Sequence, residues 1–408
     1  MLEYVIEIPV KWVQTVPQKV KADVNPYMLI WARQTAGYDV EEAARKIGTT
    51  PEKLQVWEAG ADKPTLRQLR LAANVYKRPT ALFYCSTAPK EPPTIADFRL
   101  FPDERLKYTP RLLYGIRRAF QRKAIAVELI QQLGEALIDF PLHANMAEPP
   151  GSLAARIRQA LGITLGAQFS WHDQYAALRS WISAVERLGA FVFHVRDVEL
   201  QHMRGFSISE CPFPVVGINS KDSPRGRMFT LLHELVHIVL QTGGICDLHE
   251  LESDNDGSLE AYCNQVAGEV LVPRDALLSE EVVVKNSNNT VWEEEQLRLV
   301  ANRYKVSQEV ILRRLLTLGK TTRAFYHQKH EEYKRIYQRE RAEEGGFIPY
   351  HRLVLRDNGP AFTGLVLSAY HNQAISLRDL SNFLGGVKLD HVGRIEHALI
   401  GSRGGIEP

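Results

Sequence analysis

His233 and His237 stand four residues apart in the run FTLLHELVHIVL (229–240), and Glu234 lies between them. On an α-helix four residues turn through about 400°, so the two imidazoles leave the same face about one turn apart. Two neutral nitrogen donors so placed can grip one zinc ion, and Glu234 is placed to act as base for a water on that metal. The flanking Leu231, Leu232, Leu235, Val236, Ile238, Val239 and Leu240 are apolar. The helix is therefore expected to be buried, with each polar residue an exception that has a cause.

A catalytic zinc takes three protein ligands and keeps one position open, so a third donor must follow. The stretch SLEAYCNQVAGEVLVP (258–273) reads as a second helix stopped by Pro273, with Leu259, Tyr262, Cys263, Val266 and Val270 as its core stripe. Glu260 and Asn264 border that stripe together. Glu269 falls on the opposite face, so only one of the two acids can reach the metal. Glu260 is the choice: it opens the helix and stands 23 positions after His237, enough for a loop and a return. Asp247, His249, Glu250 and Glu252 in that loop are rival ligands. The bland alternative is a buried histidine pair with a capping glutamate.

These residues carry a resemblance to the ImmA/IrrE metallopeptidases. Asn219, Ser220, Lys221, Asp222 and Pro224, then Arg227, Phe229, Thr230 and Leu231, lead into the HELVH run. Glu260, Cys263, Asn264, Ala267, Glu269, Leu271 and Pro273 follow. Upstream, MRGFSI (203–208) and PVVGIN (214–219) resemble the paired strands that precede the active-site helix in that family. The resemblance spans most of 151–320. It implies a zinc site of His233, His237 and Glu260, with Glu234 catalytic.

Two neutral imidazoles and one carboxylate would leave a zinc unit at net +1, electrophilic enough to bring a bound water toward a pKa of about 7. Glu234 would take that proton and later hand it to the departing amine. Asn264, one turn from Glu260, is a candidate supporting residue, with a plain helix-surface amide as its alternative. Cys263 falls on the core stripe and reads as a buried structural thiol.

Composition sets wider bounds. The chain has 408 residues, 45% hydrophobic and 24% charged, with a formal net charge of +2. That balance suits a two- or three-domain globular protein and does not advertise nucleic-acid binding. Cys85, Cys211, Cys246 and Cys263 are scattered without CxxC spacing, which argues against a disulfide framework or a zinc ribbon. No apolar run approaches the roughly 18 residues needed to span a bilayer, and MLEYVIEIPVKW lacks a basic signal-peptide start. A cytoplasmic protein without a membrane partner is expected.

The amino-terminal part reads as a separate unit of five short helices: 27–36, 40–47 opened by Asp39, 51–59 led by Pro51, 65–75 and 79–83. Gly48-Thr49-Thr50 makes a tight turn. Ala43, Ala44, Ile47, Leu54, Trp57, Leu66, Leu69 and Ala72 are its expected core. The order, with AARKIGTTPEKLQVWEAG at its centre, resembles an XRE-type helix-turn-helix domain. Thr50, Lys53 and Gln55 are the candidate nucleic-acid contacts. Glu52 and Glu58 on the same helix would repel phosphate, so docking to protein or a structural role is expected ahead of base reading.

The expected fold is α+β and mainly helical: a helix-turn-helix bundle (1–88), a linker and helical connector (89–150), a zincin-like metallopeptidase domain with a small sheet (151–320), and a helical C-terminal extension (321–408). KEPPTIADF (90–98) and MAEPPGS (146–152) are the breaks, and AFVFHV (190–195) is a strand. The run 295–319 is again helix-turn-helix-like, or a helical lid on the peptidase. His172 and His194 read as structural.

Two functions compete. One is an intracellular, site-specific zinc endopeptidase; the resemblance implies that it cuts an XRE-type repressor and so controls stress-response or mobile-element genes. The other is a non-catalytic transcriptional regulator or antitoxin that binds DNA or a toxin through the helix-turn-helix. An intact Glu234 favours the first, because a degenerate scaffold would lose it without penalty. In a third reading the amino-terminal domain is itself the substrate or an internal inhibitor.

Overall fold

Polar caps on free backbone N–H groups delimit the helices of the amino-terminal part. Asn25 accepts from the Tyr27 N–H at the start of α1 (Pro26–Thr35), Asp39 from Glu42 at α2 (Val40–Ile47), and Thr50 from Lys53 at α3 (Pro51–Glu58). Thr65 and Gln68 cap α4 (Leu66–Tyr76) reciprocally, and a 3-10 turn (Thr80–Tyr84) ends the set where a fifth helix is predicted. Gly48 closes α2 at φ 77°, the left-handed turn that joins it to α3. The computed structural model describes residues 20–90, 96–97, 108–246, 258–340 and 348–403. It divides into two compact units, Met1–Glu91 and Pro92–Pro408.

The core of the first unit gathers Met28, Leu29, Ile47, Leu54, Trp57 and Tyr76, all essentially buried. Leu66, predicted to join it, is 39% exposed because it opens α4 and points outward.

In the second unit a five-stranded sheet has the order β1-β5-β3-β4-β2. Its strands are β1 (Ala96–Asp97), β2 (Phe191–Val195), β3 (Gly205–Ile208), β4 (Val215–Asn219) and β5 (Gly244–Cys246). β3 runs antiparallel to both β4 and β5, with Ser207 opposite Val216, while β2 lies parallel to β4. Before the sheet come α5 (Pro110–Gln132), α6 (Pro150–Leu161), α7 (Leu165–Ser170) and α8 (Gln174–Arg187). After β4 come α9 (Pro224–Val239), α10 (Leu259–Leu271), α11 (Arg274–Leu278), α12 (Glu281–Lys285), α13 (Glu294–Tyr304) and α14 (Gln308–Thr317). The chain continues through α15 (Arg323–Glu340), α16 (Tyr350–Asn358), α17 (Pro360–His371), α18 (Leu377–Phe383) and α19 (Val392–Arg403). The protein is α+β and mainly helical.

Strand side chains alternate between two apolar cores. Val192, Val216 and Ile218 face a core built from α6, α8, α9, α10, α13 and α14. Phe191, Phe193, Phe206, Ile208 and Val215 face a second core built from α5 and α16 to α19. Every residue of β2, β3 and β4 is buried, so the sheet needs helices on both sides. Segments assigned from the sequence to a connector and to a C-terminal extension supply that second layer, in the same compact unit as the sheet. The helix-turn-helix-like pair α13 and α14 is anchored by Leu297, Ala301, Ile311 and Leu315 in the first core.

Candidate metal centre

α9 starts at Ser223, whose side chain accepts from the Gly226 N–H, with Pro224 in the first turn. The turn before it is tied down by motif residues. Asn219 donates to the Val198 and Met203 carbonyls at 3.0 and 2.8 Å, and Asp222 pairs with Arg204 at 3.2 Å. These contacts tie the start of α9 to the segment between β2 and β3. His233, Glu234 and His237 are then completely buried on that helix.

α10 packs against α9 and brings Glu260 to the imidazole pair. The two histidine Nε2 atoms are 3.1 Å apart. Glu260 Oε2 is 3.1 Å from His233 Nε2, and Glu260 Oε1 is 3.2 Å from His237 Nε2. Donors bound at about 2.0–2.1 Å in a tetrahedral zinc site stand about 3.3 Å from one another. Each imidazole thus meets its own carboxylate oxygen at close to that spacing, and this buried His-His-Glu group can hold a metal. Burial pushes the Glu260 carboxyl up, but its hydrogen bonds to His233 and His237 and their charge outweigh that and hold it well below the usual carboxylate range.

The surroundings suit imidazoles that bind through Nε2. His237 Nδ1 is 3.2 Å from Thr242 Oγ1, so an Nδ1–H has an acceptor there. His233 Nδ1 is buried without a hydrogen-bond partner among the described residues, and so is Oδ1 of Asn264 on the facing helix. Glu234 Oε2 accepts a hydrogen bond from Ser207 Oγ on β3 at 2.9 Å.

Other residues singled out from the sequence lie elsewhere. Glu269 pairs with Arg314 and caps the Arg274 N–H at 2.7 Å. Asp247, His249, Glu250 and Glu252 lie outside the described residues. Cys263 is fully buried, and burial, together with the Glu260 and Glu234 carboxylates, pushes its thiol well up. His194 is buried with Nδ1 2.9 Å from the Arg356 carbonyl; burial first, then the charges of Arg227 and Arg356, hold it well down. His172 is exposed beside Asp173.

On α3, Lys53 and Gln55 are exposed and Thr50 spends its hydroxyl on the Lys53 N–H cap. Glu58 is not the free acid suggested by its position: Arg33 grips both its oxygens, at 2.7 and 2.9 Å, and raises its own pKa in doing so.

Ser207, Gly205 and Thr242 escaped the sequence reading. The signal available was the pair of small residues at alternate positions of an otherwise apolar strand, Gly205 and Ser207 flanking Phe206.

Residues 185–316 match the family model of the IrrE N-terminal-like domain, Peptidase M78, and residues 29–83 match the helix-turn-helix model. No curated protein and no solved structure matches the chain.

Proposed function

We propose, on the premise that this chain joins a helix-turn-helix domain to an IrrE N-terminal-like peptidase domain, that it is an intracellular, site-specific zinc endopeptidase. Its substrate would be a repressor-type protein, whose cleavage switches on stress-response or mobile-element genes. The observation that carries this reading is the convergence of His233, His237 and Glu260 donors at 3.1–3.2 Å in a buried site beside an equally buried Glu234.

Zinc bound there would supply Lewis-acid activation of water and of the scissile carbonyl. The remaining work belongs to the chain. His233, His237 and Glu260 hold the ion, and Thr242 orients the His237 ring. Glu234 accepts the proton of the attacking water on its carboxylate and releases it to the departing amine nitrogen. Asn264 is the proposed supporting residue, one turn from Glu260 on α10 and buried beside the site; its oxygen and His233 Nδ1 are both buried without a hydrogen-bond partner among the described residues.

The test is incubation of the zinc-loaded protein with full-length helix-turn-helix repressors, followed by mass-spectrometric mapping. One cleaved bond, abolished by a chelator and restored by zinc, is the expected result. Intact repressors together with a shifted operator probe, or capture of a toxin without cleavage, would replace the peptidase by the regulator or antitoxin reading.

The helix-turn-helix would add DNA contact through Thr50, Lys53 and Gln55. Of these, Lys53 and Gln55 are exposed, and Arg33 removes the objection posed by Glu58. Lys53→Ala is expected to weaken binding to duplex DNA and to lower its salt dependence by about one phosphate contact. Unchanged salt titrations would leave protein docking as this domain's role.

A further inference from the structure

We propose that Gly205 and Ser207 of β3 form a seat that fixes the Glu234 carboxylate, which makes Ser207 a positioning residue for proton transfer. This rests on the peptidase reading for its catalytic consequence, though not for the seat itself.

A glutamate on a helix has three rotatable bonds, and a base must present one oxygen to its proton donor in a narrow range of positions. Glu234 is buried completely, so bulk solvent does not place its carboxylate. Its two oxygens are instead governed by one strand. Oε2 takes the Ser207 hydroxyl hydrogen at 2.9 Å, between two residues at 1% exposure or less. Oε1 lies 2.7 Å from the point where a Cβ at position 205 would stand, and the Glu234 Cγ lies 3.0 Å from it. The carboxylate therefore occupies space that exists because residue 205 has no side chain. The same point is 2.5 Å from Thr230 Cγ2, one turn back on α9, so strand and helix approach as closely as glycine permits.

Residues 205 and 207 share the face of β3 that meets α9, while Phe206 between them enters the opposite core. β3 is hydrogen-bonded on both sides, to β4 and to β5. A hydroxyl on an interior strand is held far more tightly than one on a loop. The seat thus restricts the carboxylate from two directions: a donor holds one oxygen, and a backbone wall bounds the other.

Two measurements on the zinc-loaded full chain test this. In a thermal double-mutant cycle, Ser207→Ala should change Tm in the wild-type background and have almost no effect in a Glu234→Ala background, because its partner is gone. Equal shifts in both backgrounds would mean that Ser207 merely packs the strand, and the seat would be overturned whether or not the protein cleaves anything. In cleavage of labelled casein and of full-length helix-turn-helix repressors, Ser207→Ala should lower kcat about tenfold or more with KM and zinc content unchanged. Gly205→Ala, which intrudes on the other oxygen, should do the same with a lower Tm. A wild-type enzyme that cleaves, with Ser207→Ala at the same kcat, removes the positioning role and leaves the peptidase reading intact. A wild-type chain that cleaves nothing, with thermal coupling present, keeps the seat and removes the peptidase.

Discussion

Glu234→Gln is expected to keep one zinc per chain and a near-normal melting temperature while losing proteolysis by about three orders of magnitude. The magnitude is that of a general base removed from a hydrolytic step, about 10²–10⁴-fold. Glutamine matches the shape of glutamate, and its amide oxygen can still accept from Ser207, so the seat on β3 stays filled. The donors at His233, His237 and Glu260 are untouched. Only the capacity to take a proton disappears. Stability should be maintained or slightly improved, because a fully buried carboxylate is replaced by a neutral group. Paired cleavage assays, metal analysis and thermal melts on the same preparations read all three quantities. Cleavage by the Gln variant at the wild-type rate would take the base role away from Glu234.

His233→Ala is expected to lose metal, activity and stability together. Two donors remain, and a buried imidazole is replaced by a cavity at a site with no exposure, at a cost of about 2–4 kcal/mol. Glu260 would also keep only one of the two imidazoles that hold its charge. Wild-type protein should gain melting temperature as free zinc rises, since a ligand that binds the folded state stabilises it by mass action. The variant should show no such gain. Asn264→Ala makes the intermediate case: it leaves all three donors and, as the loss of a supporting residue outside the donor set, should weaken zinc binding by roughly 10–100-fold. Chelator-competition titrations order the series. Wild-type zinc affinity in His233→Ala would dismiss the ligand assignment.

The order of these effects reflects how differently each residue was legible. The His233 and His237 pair was readable outright, because the geometry of four residues on one helix is local. The amino-terminal module was readable for the same reason: Asp39, Gly48, Thr50 and Pro51 are start and stop signals that act within a turn. Glu260 was a choice between two acids on opposite faces of one helix, with loop residues still in contention. Which face of α10 meets α9 depends on how both helices pack, and the structure gives Glu260 to the imidazoles and Glu269 to Arg314.

Ser207 and Glu234 are 27 positions apart and belong to different elements, so no period in the chain links them. The same holds for Glu58, whose partner Arg33 lies 25 positions away on α1. The second helical layer was half visible: FVFHV is apolar at nearly every position, which asks for cover on both faces. That α5 and α16 to α19 provide it follows from long-range packing alone. Sequence by itself determined the chemistry, meaning which side chains are present and which pairs a single turn of helix must align. Tertiary structure decided the company each one keeps, because a strand, a loop closure and a helix crossing bring distant residues within bonding distance, and packing selects which ones.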